Sequence, residues 1–226
     1  MTASILRQLY TSAISDFDRM LCELFIGAFF FAMRSCEYIQ VSGPRHTKLL
    51  TLGNIKFIRN RKRLHHTHPD LHKADCVSIT FVLQKRDSKG DVITQHRSKD
   101  KLLCPVKIWA NIVRRISGYE FSSPDTTVNT YLFPDSSRHL FTGKELLSRI
   151  RLAASVIGEE ELGFSSMQLG LHSARSGAAM AMYLGGVPVY TIMLLGRWAS
   201  EAFLCYIRKQ VQEFSSGVSK KMIANE

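Results

Sequence analysis

The sequence has too few acidic residues to balance its basic ones, and the shortage is uneven along the chain. It holds 19 aspartates and glutamates against 30 lysines and arginines, which gives a formal net charge of +11. Residues 45–115 contain 17 basic and 5 acidic residues, whereas the rest of the chain is close to neutral. A local positive field of this size favours nucleic acid as the partner over a membrane surface or a merely solubilising face.

Disulfide signals and long apolar runs are also missing. The five cysteines are odd in number, widely spaced and without a C-x-x-C pair, which is typical of a reducing compartment. The most apolar run, residues 24–33, is half the length of about 20 residues that a bilayer-spanning helix needs. The N-terminus has no secretory signal pattern. We therefore expect a soluble intracellular protein with no membrane partner, located in the nucleus if the host is a eukaryote.

Hydrophobic residues make up 45% of the 226 residues, enough to form a core, and the chain has no internal repeats. Apolar residues at helical spacing predict a long helix over residues 14–33 with a short continuation over 35–41. A strand is predicted over residues 49–58, followed by a polar loop over 59–75. Alternation over residues 76–84 predicts a half-buried strand, which a basic turn joins to a return strand over 92–96.

Capping signals predict the remaining helices. Pro105 suits a first helical position, and Thr142 with Glu145 forms a capping box. Ser166 is the predicted N-cap of a later helix, and Ser200 is that of the last one. The predicted helices cover residues 105–116, 142–157, 166–184, 187–195 and 200–214. We expect one mostly helical α+β domain over residues 1–226, with a small antiparallel sheet.

The segment 169–209 carries polar residues at regular intervals in an otherwise core-forming sequence. His172 and Arg175 lie three apart at a predicted helix start, which would place both on one face, as two oxygens of a phosphate require. Tyr206 follows the Gly196–Trp198 turn at a spacing that would bring the two near one cleft. Taken alone, an H-x-x-R pair could equally be a helix end that touches solvent.

This order of residues resembles the C-terminal signature of the tyrosine recombinases, the phage integrase family. The stretch 186–209 is most similar to the versions found in eukaryotic mobile elements of the DIRS-like type. Arg34, with Glu37 three residues later, resembles the family's first arginine box. Residues 78–96 resemble the hairpin that delivers a catalytic lysine, best aligned at Lys85. The similarity covers about residues 17–215, the catalytic domain, and the family's N-terminal core-binding domain has no counterpart here.

The resemblance implies a recombinase or integrase that cuts and rejoins double-stranded DNA through a covalent 3′-phosphotyrosine, without a metal or another cofactor. Tyr206 would be the nucleophile, and Arg34 and Arg175 would hold the non-bridging phosphate oxygens with planar guanidinium forks. Lys85 would protonate the leaving 5′-oxygen, and His172 would act as general base or proton relay. Family members assemble as tetramers on DNA, so we expect self-association.

One position departs from the family pattern. The residue after the glycine is usually His or Trp, but here it is Arg197, and Trp198 comes one later. We favour Trp198 as the residue that packs on the nucleophile and donates its indole N–H to the phosphate, with Arg197 as the alternative. Glu37 would act as an accessory residue that orients the first arginine or the histidine.

Basic side chains outside these boxes are expected to contact DNA phosphates, which gives binding a steep salt dependence. They are Arg59, Arg61, Lys62, Arg63, Arg86 and Lys89. The R-N-R-K-R run that holds the first four could also be a nuclear localisation signal. The histidine-rich stretch 65–76 fits no zinc module, and we expect no metal there.

Several residues also have structural interpretations, and other functions stay open. Arg34 could cap the preceding helix, Lys85 could belong to a solvated basic turn, and Tyr206 could be a half-buried helix aromatic. The other functions are a non-catalytic DNA-binding relic or domesticated transposon protein, a type IB topoisomerase-like nicking enzyme, and an interaction module that uses the fold for assembly.

Overall fold

The structure, a computed structural model, describes residues 1–40, 47–82, 90–119, 131–132 and 139–198. Two parts of the predicted site lie outside the described residues. One is the turn that carries Lys85, Arg86 and Lys89, and the other is the predicted last helix with Tyr206.

The order of elements confirms a mostly helical α+β fold with a small antiparallel sheet. Two helices come first, namely α1 (Ala3–Thr11) and α2 (Asp16–Phe30). The strands follow, namely β1 (Ile55–Arg59), β2 (Lys62–Leu64), β3 (Cys76–Phe81) and β4 (Asp91–His96). The remaining helices are α3 (Pro105–Ser117), α4 (Gly143–Ile157), α5 (Glu159–Leu162), α6 (Ser173–Leu184) and α7 (Val189–Gly196). None of these described helices combines the length and apolarity needed to span a bilayer.

The sheet has the strand order β2-β1-β3-β4, and every neighbouring pair is antiparallel. Arg59 pairs with Lys62 across the β1–β2 turn, and the adjacent residue Ile58 pairs with Cys76 at the start of β3. At the other end of β3, Phe81 pairs with Asp91 of β4. The β1–β2 turn and the end of β3 therefore lie at opposite ends of the sheet.

Helix α2 is the centre of the core, and its residues from Met20 to Ala28 are all buried. It packs against α1, α3 and α6. A Cβ at Gly27 would lie 2.9 Å from the Trp109 ring, so the close approach of α2 and α3 requires glycine here. The Phe31 ring meets the same indole edge-on at 6.0 Å between centroids.

Local capping chemistry positions α3 and α4 as predicted. Pro105 is the first residue of α3. Thr142 Oγ1 accepts from the backbone N–H of Glu145 at 3.2 Å, while a Glu145 carboxylate oxygen accepts from the backbone N–H of Thr142 at 2.8 Å. The predicted capping box is therefore present.

Four local predictions were wrong. Residues 49–54 do not begin a strand, because Asn54 Oδ1 accepts from the backbone N–H of Thr51 and closes a 3-10 turn. Residues 59–75 are not all loop, because they contain β2. Of the predicted continuation over 35–41, the described residues 35–40 are helical only as a 3-10 turn over Ser35–Glu37. Ser166 is not the cap of α6, because Ser165 caps a short 3-10 turn and α6 begins at Ser173.

The strand β3 is also more buried than its alternating pattern predicts. Ser78, expected on a polar face, is buried, and its hydroxyl forms a 2.8 Å hydrogen bond with Thr94 Oγ1 on β4. The polar side chain is tolerated in this interior because a cross-strand hydroxyl satisfies it.

Candidate active site

The carboxyl end of α2 gathers side chains from distant parts of the chain. The last turn of α2 has no basic residue of its own, although helix ends leave carbonyl groups unpaired and carry partial negative charge. Arg197 Nη1 donates to the Phe31 carbonyl at 3.1 Å. Arg175 Nη1 donates to the next carbonyl, that of Ala32. Two guanidinium groups from the C-terminal part of the chain are therefore fixed at one helix end.

A single buried glutamate joins this end of α2 to a third arginine. Glu37 Oε2 accepts from Arg197 Nη2 at 2.7 Å and from the backbone N–H of Arg34 at 2.8 Å. Its other oxygen, Oε1, accepts from Arg34 Nη1 at 3.2 Å. The 3-10 turn over Ser35–Glu37 brings the carboxylate back to the start of the turn, which explains the three-residue spacing of Arg34 and Glu37. One carboxylate is thus shared by two guanidinium groups.

Within the described residues, positive charge exceeds negative charge in this cluster. We define the arginine cluster as Arg34, Arg175, Arg197 and the Glu37 carboxylate. Burial lowers the pKa of the Arg197 guanidinium and the Glu37 carboxylate raises it, while Arg34 lowers it and Asp91 raises it to smaller extents. Arginine nevertheless stays protonated, so two cations are bonded to the Glu37 carboxylate and a third is fixed at the adjoining helix end. Two guanidinium groups on one carboxylate suit an anionic ligand.

The three arginines differ in exposure. The Arg34 side chain is 31% exposed, whereas that of Arg197 is 1% exposed, and Arg175 is buried. Arg34 is therefore the member that solvent or a ligand reaches first. The Nε of Arg197 is buried and makes no hydrogen bond within the described part of the chain, an unsatisfied donor of the kind that interiors rarely keep.

The Gly196–Arg197–Trp198 turn has a clear structural basis. Arg197 ends α7 in the left-handed conformation, with φ at 58°, so that the chain reverses and the Trp198 ring lies directly over Gly196. No side chain fits at position 196. The Trp198 ring then stacks on Arg175, with Cζ 4.2 Å from the ring centroid, a distance suited to a cation–π interaction.

The structure therefore brings five of the predicted site residues together. They are Arg34, Glu37, Arg175, Arg197 and Trp198. The two candidates for the family's His/Trp position have different contacts. Trp198 stacks on the second arginine, whereas Arg197 binds Glu37 and the end of α2.

His172 is the predicted residue whose surroundings differ from those expected. It is the N-cap of α6 and is exposed, whereas Arg175, three residues later, is buried. The His172 backbone is already helical, so the difference in exposure comes from its place at the open end of α6, where fewer residues pack around it than around Arg175. The described hydrogen bonds of Glu37 go to arginines, so its contacts support the interpretation that it orients Arg34.

The predicted DNA-contacting residues within the described part of the chain lie on the β1–β2 hairpin. Arg59 donates to Asp70 Oδ2 at 2.8 Å, so its charge is partly neutralised. Arg61, Lys62 and Arg63 are exposed. They form no salt bridge with any residue of the described ranges.

Two residues of the site were missed by the sequence analysis. The Phe81 ring lies under Arg197, with Cζ 3.6 Å from its centroid. Gln95 Nε2 donates to the Phe30 carbonyl at 2.7 Å and so completes the end of α2. Phe81 had the pattern of an ordinary core residue and Gln95 that of a polar strand residue, so neither carried a signal in the sequence.

Comparisons with protein-family models and with curated proteins give no match to this chain. Within the described residues, no three His, Cys, Asp or Glu side chains are grouped so that they could hold a metal ion. The functional assignment therefore depends on the arginine cluster, on the charge distribution and on the order of the motifs.

Proposed function

We propose that this protein is a DNA strand transferase of the tyrosine recombinase type, which cuts and rejoins a duplex with Tyr206 as the nucleophile. The observation that carries the proposal is the pair of Arg34 and Arg197 on one buried carboxylate, with Arg175 held at the adjoining end of α2. Planar guanidinium forks with excess positive charge suit the non-bridging oxygens of a phosphodiester. The surplus of basic residues over 45–115 suits the rest of the duplex backbone.

In the proposed reaction, the phenolate oxygen of Tyr206 attacks phosphorus while the bond from phosphorus to the 5′-oxygen breaks. His172 takes the phenol proton, and Lys85 gives a proton to the departing 5′-oxygen. Attack by a 5′-hydroxyl then reverses these steps and frees the tyrosine. Arg34 and Arg175 neutralise the charge that develops on the phosphate, and losing one such donor costs on the order of 10²–10³ in rate.

A second candidate function is DNA binding without turnover. The observation that favours it is the cover over Arg175, which is 4% exposed beneath the Trp198 ring. A protein that only binds the backbone needs the exposed basic surface and Arg34, but no direct access to Arg175. Covalent capture separates the two functions.

A pool of nicked duplexes with randomised sequence tests the proposal without knowledge of the target site. Cleavage beside a nick releases a short fragment, so religation fails and the covalent complex accumulates. We expect a denaturant-resistant complex with the wild-type protein and none with Tyr206→Phe, although both bind the duplex equally. Duplex binding by folded wild-type protein without any capture would contradict strand transfer and support the second candidate.

A change of leaving group tests the role of Lys85 separately. A thiolate is a much weaker base than an alkoxide. A 5′-sulfur in the bridging position can therefore depart without a proton donor. Such a duplex should restore capture by Lys85→Ala but not by Arg175→Ala. Relaxation of a supercoiled plasmid by the monomer would instead indicate the topoisomerase-like activity, because recombination needs paired sites.

A further inference from the structure

We infer that the β1–β2 hairpin is a second DNA-contacting element, which binds the phosphate backbone well away from the arginine cluster. The inference rests on the duplex binding in the proposed function and specifies how far along the duplex that binding extends. Its basis is the backbone geometry of the hairpin, its unpaired charges and its place in the sheet.

The hairpin turn holds an arginine where glycine would fold better. Pairing of Arg59 with Lys62 leaves Asn60 and Arg61 as a two-residue turn, and their φ values are 50° and 63°. This left-handed pair of conformations favours Asn followed by Gly. Asn60 fits that preference, but Arg61 carries a steric penalty that glycine avoids. An exposed, charged residue in a strained position points to a role outside folding.

The acidic residues near the hairpin are already engaged close to its turn. Asp70 binds both Arg59, at 2.8 Å, and Lys73, at 3.0 Å. Asp75 accepts from the backbone N–H of Asn60 at 2.7 Å and so helps to hold the turn. The remaining exposed cations are Arg61 in the turn, Lys62 and Arg63 on β2, and, farther from the turn, Lys56 on β1. All four are exposed and lack a salt bridge within the described residues, so their charge is available to a ligand.

The hairpin and the arginine cluster are at opposite ends of β3. Cys76, at the start of β3, pairs with Ile58, and the turn lies about two residues farther on. Phe81, at the end of β3, lies under Arg197. At about 3.3 Å per residue, roughly 20–25 Å separate the turn from the cluster. At about 3.4 Å per base pair this corresponds to roughly six or seven base pairs, so the two sites cannot hold the same phosphate.

The chemistry of the hairpin favours a nucleic acid over a lipid surface. Its edge strand presents two cations next to a half-buried Leu64, with no exposed apolar side chain on β2. Stable binding of a peripheral protein to a bilayer combines basic residues with apolar ones that enter the interface. An exposed cationic turn and edge strand instead suit a row of phosphates at fixed spacing.

The variant Arg61→Gly tests this inference, because it removes the charge and relieves the strained conformation together. We expect weaker duplex binding, a slope of log affinity against log salt that is shallower by about one, and a Tm equal to or above that of the wild type. Lys144→Ala is the matched control, since Lys144 is exposed on α4 and forms no salt bridge within the described part of the chain. Its slope should equal that of the wild type.

A series of duplexes of decreasing length supplies the second measurement. Wild-type affinity should fall sharply once the duplex no longer reaches both sites, and Arg61→Gly should lack this step. Equal salt slopes for Arg61→Gly and the wild type would overturn the inference. The inference would also be overturned if the protein bound vesicles of phosphatidylcholine and phosphatidylserine through Arg61 and showed no length-dependent duplex binding. If Arg61→Gly weakens duplex binding as expected but the wild type shows no covalent capture, only the proposal of strand transfer is contradicted.

Discussion

Helix α2 and the turn after it hold two buried glutamates. One belongs to a structural ion pair, and the other belongs to the candidate active site. Glu23, in the middle of α2, accepts from Arg115 Nη1 at 2.7 Å and from Asn111 Nδ2 at 2.9 Å. One anion there meets one cation and one neutral amide. Glu37, beyond the end of α2, is bonded by Arg34 and Arg197 and has Arg175 fixed nearby.

The difference lies in the balance of charge rather than in burial. The Glu23 side chain is 2% exposed and that of Glu37 is 3% exposed. Arg115 neutralises the Glu23 carboxylate, so this pair has no net charge for a ligand to balance. The Glu37 carboxylate is instead bonded by two guanidinium groups, so an added anion would stabilise this site. Buried ion pairs of similar appearance can therefore have different roles, and counting the cations for each carboxylate distinguishes them.

Under the proposed function, the largest expected change in a rate is in covalent capture. Arg175→Ala should lower covalent capture of nicked duplexes by about 10²–10³, because a donor to the transition-state phosphate is lost. Arg115→Ala, which removes the partner of Glu23, should leave capture per folded molecule unchanged. The measurement is the rate of capture, corrected for the folded fraction by circular dichroism. Equal losses in both variants would remove the functional distinction between the two sites.

Removing each carboxylate tests the charge balance itself. Glu23→Ala and Glu37→Ala should each lower the free energy of unfolding by about 3–5 kcal/mol, because each leaves buried cations unpaired. Inorganic phosphate should restore part of the loss only in Glu37→Ala, by about 2.7 kcal/mol at 100 times its Kd. Urea unfolding with and without phosphate gives both values. Equal restoration in the two variants would contradict a specific anion site.

A smaller effect is expected from the turn that places Trp198. Gly196→Ala should push the indole away from Arg175 and cost about 1–3 kcal/mol, because a Cβ at position 196 overlaps the ring. Trp109 is fully buried, so increased quenching of tryptophan fluorescence by iodide would report the displaced Trp198. Gly170→Ala is the control, since a Cβ there meets nothing within 4 Å. Unchanged quenching in Gly196→Ala would show that the packing of Trp198 on Arg175 does not depend on glycine at position 196.

The smallest effect on stability is expected from the exposed ion pair between Arg7 and Asp100. It serves as the reference for the buried ion pairs of Glu23 and Glu37. Hydrogen bonds from Arg7 and from the backbone N–H groups of Leu103 and Leu102 lower the pKa of Asp100. The stabilisation is therefore present above the unfolded pKa of about 3.9 and is lost as the pH falls below it. Asp100→Asn should be slightly less stable than the wild type at pH 7, and the difference should vanish in acid. Acid titration of urea unfolding measures it, and a difference that persists at low pH would contradict this assignment.

Much of the fold follows from signals that lie close together in the sequence. The Thr142–Glu145 capping box and the Pro105 helix start depend on neighbouring residues, and both were predicted correctly. The β1–β2 hairpin was missed because its turn uses Arg61 in a left-handed conformation, where sequence patterns lead one to expect glycine. The start of α6 was misplaced because a 3-10 turn uses the serine that looked like its cap.

The candidate site was only partly predictable for the same reason. The three-residue spacing of Arg34 and Glu37 is local and could be recognised. The bond between Arg197 and Glu37 spans 160 residues, and the packing of Arg197 on Phe81 depends on where β3 ends. The exposure of His172 depends on where α6 begins, which helical spacing alone does not define.

The carbonyl groups at the end of α2 receive their donors from residues that are 65, 143 and 166 positions later. During translation, the acceptors therefore leave the ribosome long before the guanidinium groups that cap them. Under the proposed function, a nascent or prematurely terminated chain lacks the means to grip a phosphodiester. Competence to cut DNA would then arise only after Arg197 has been synthesised.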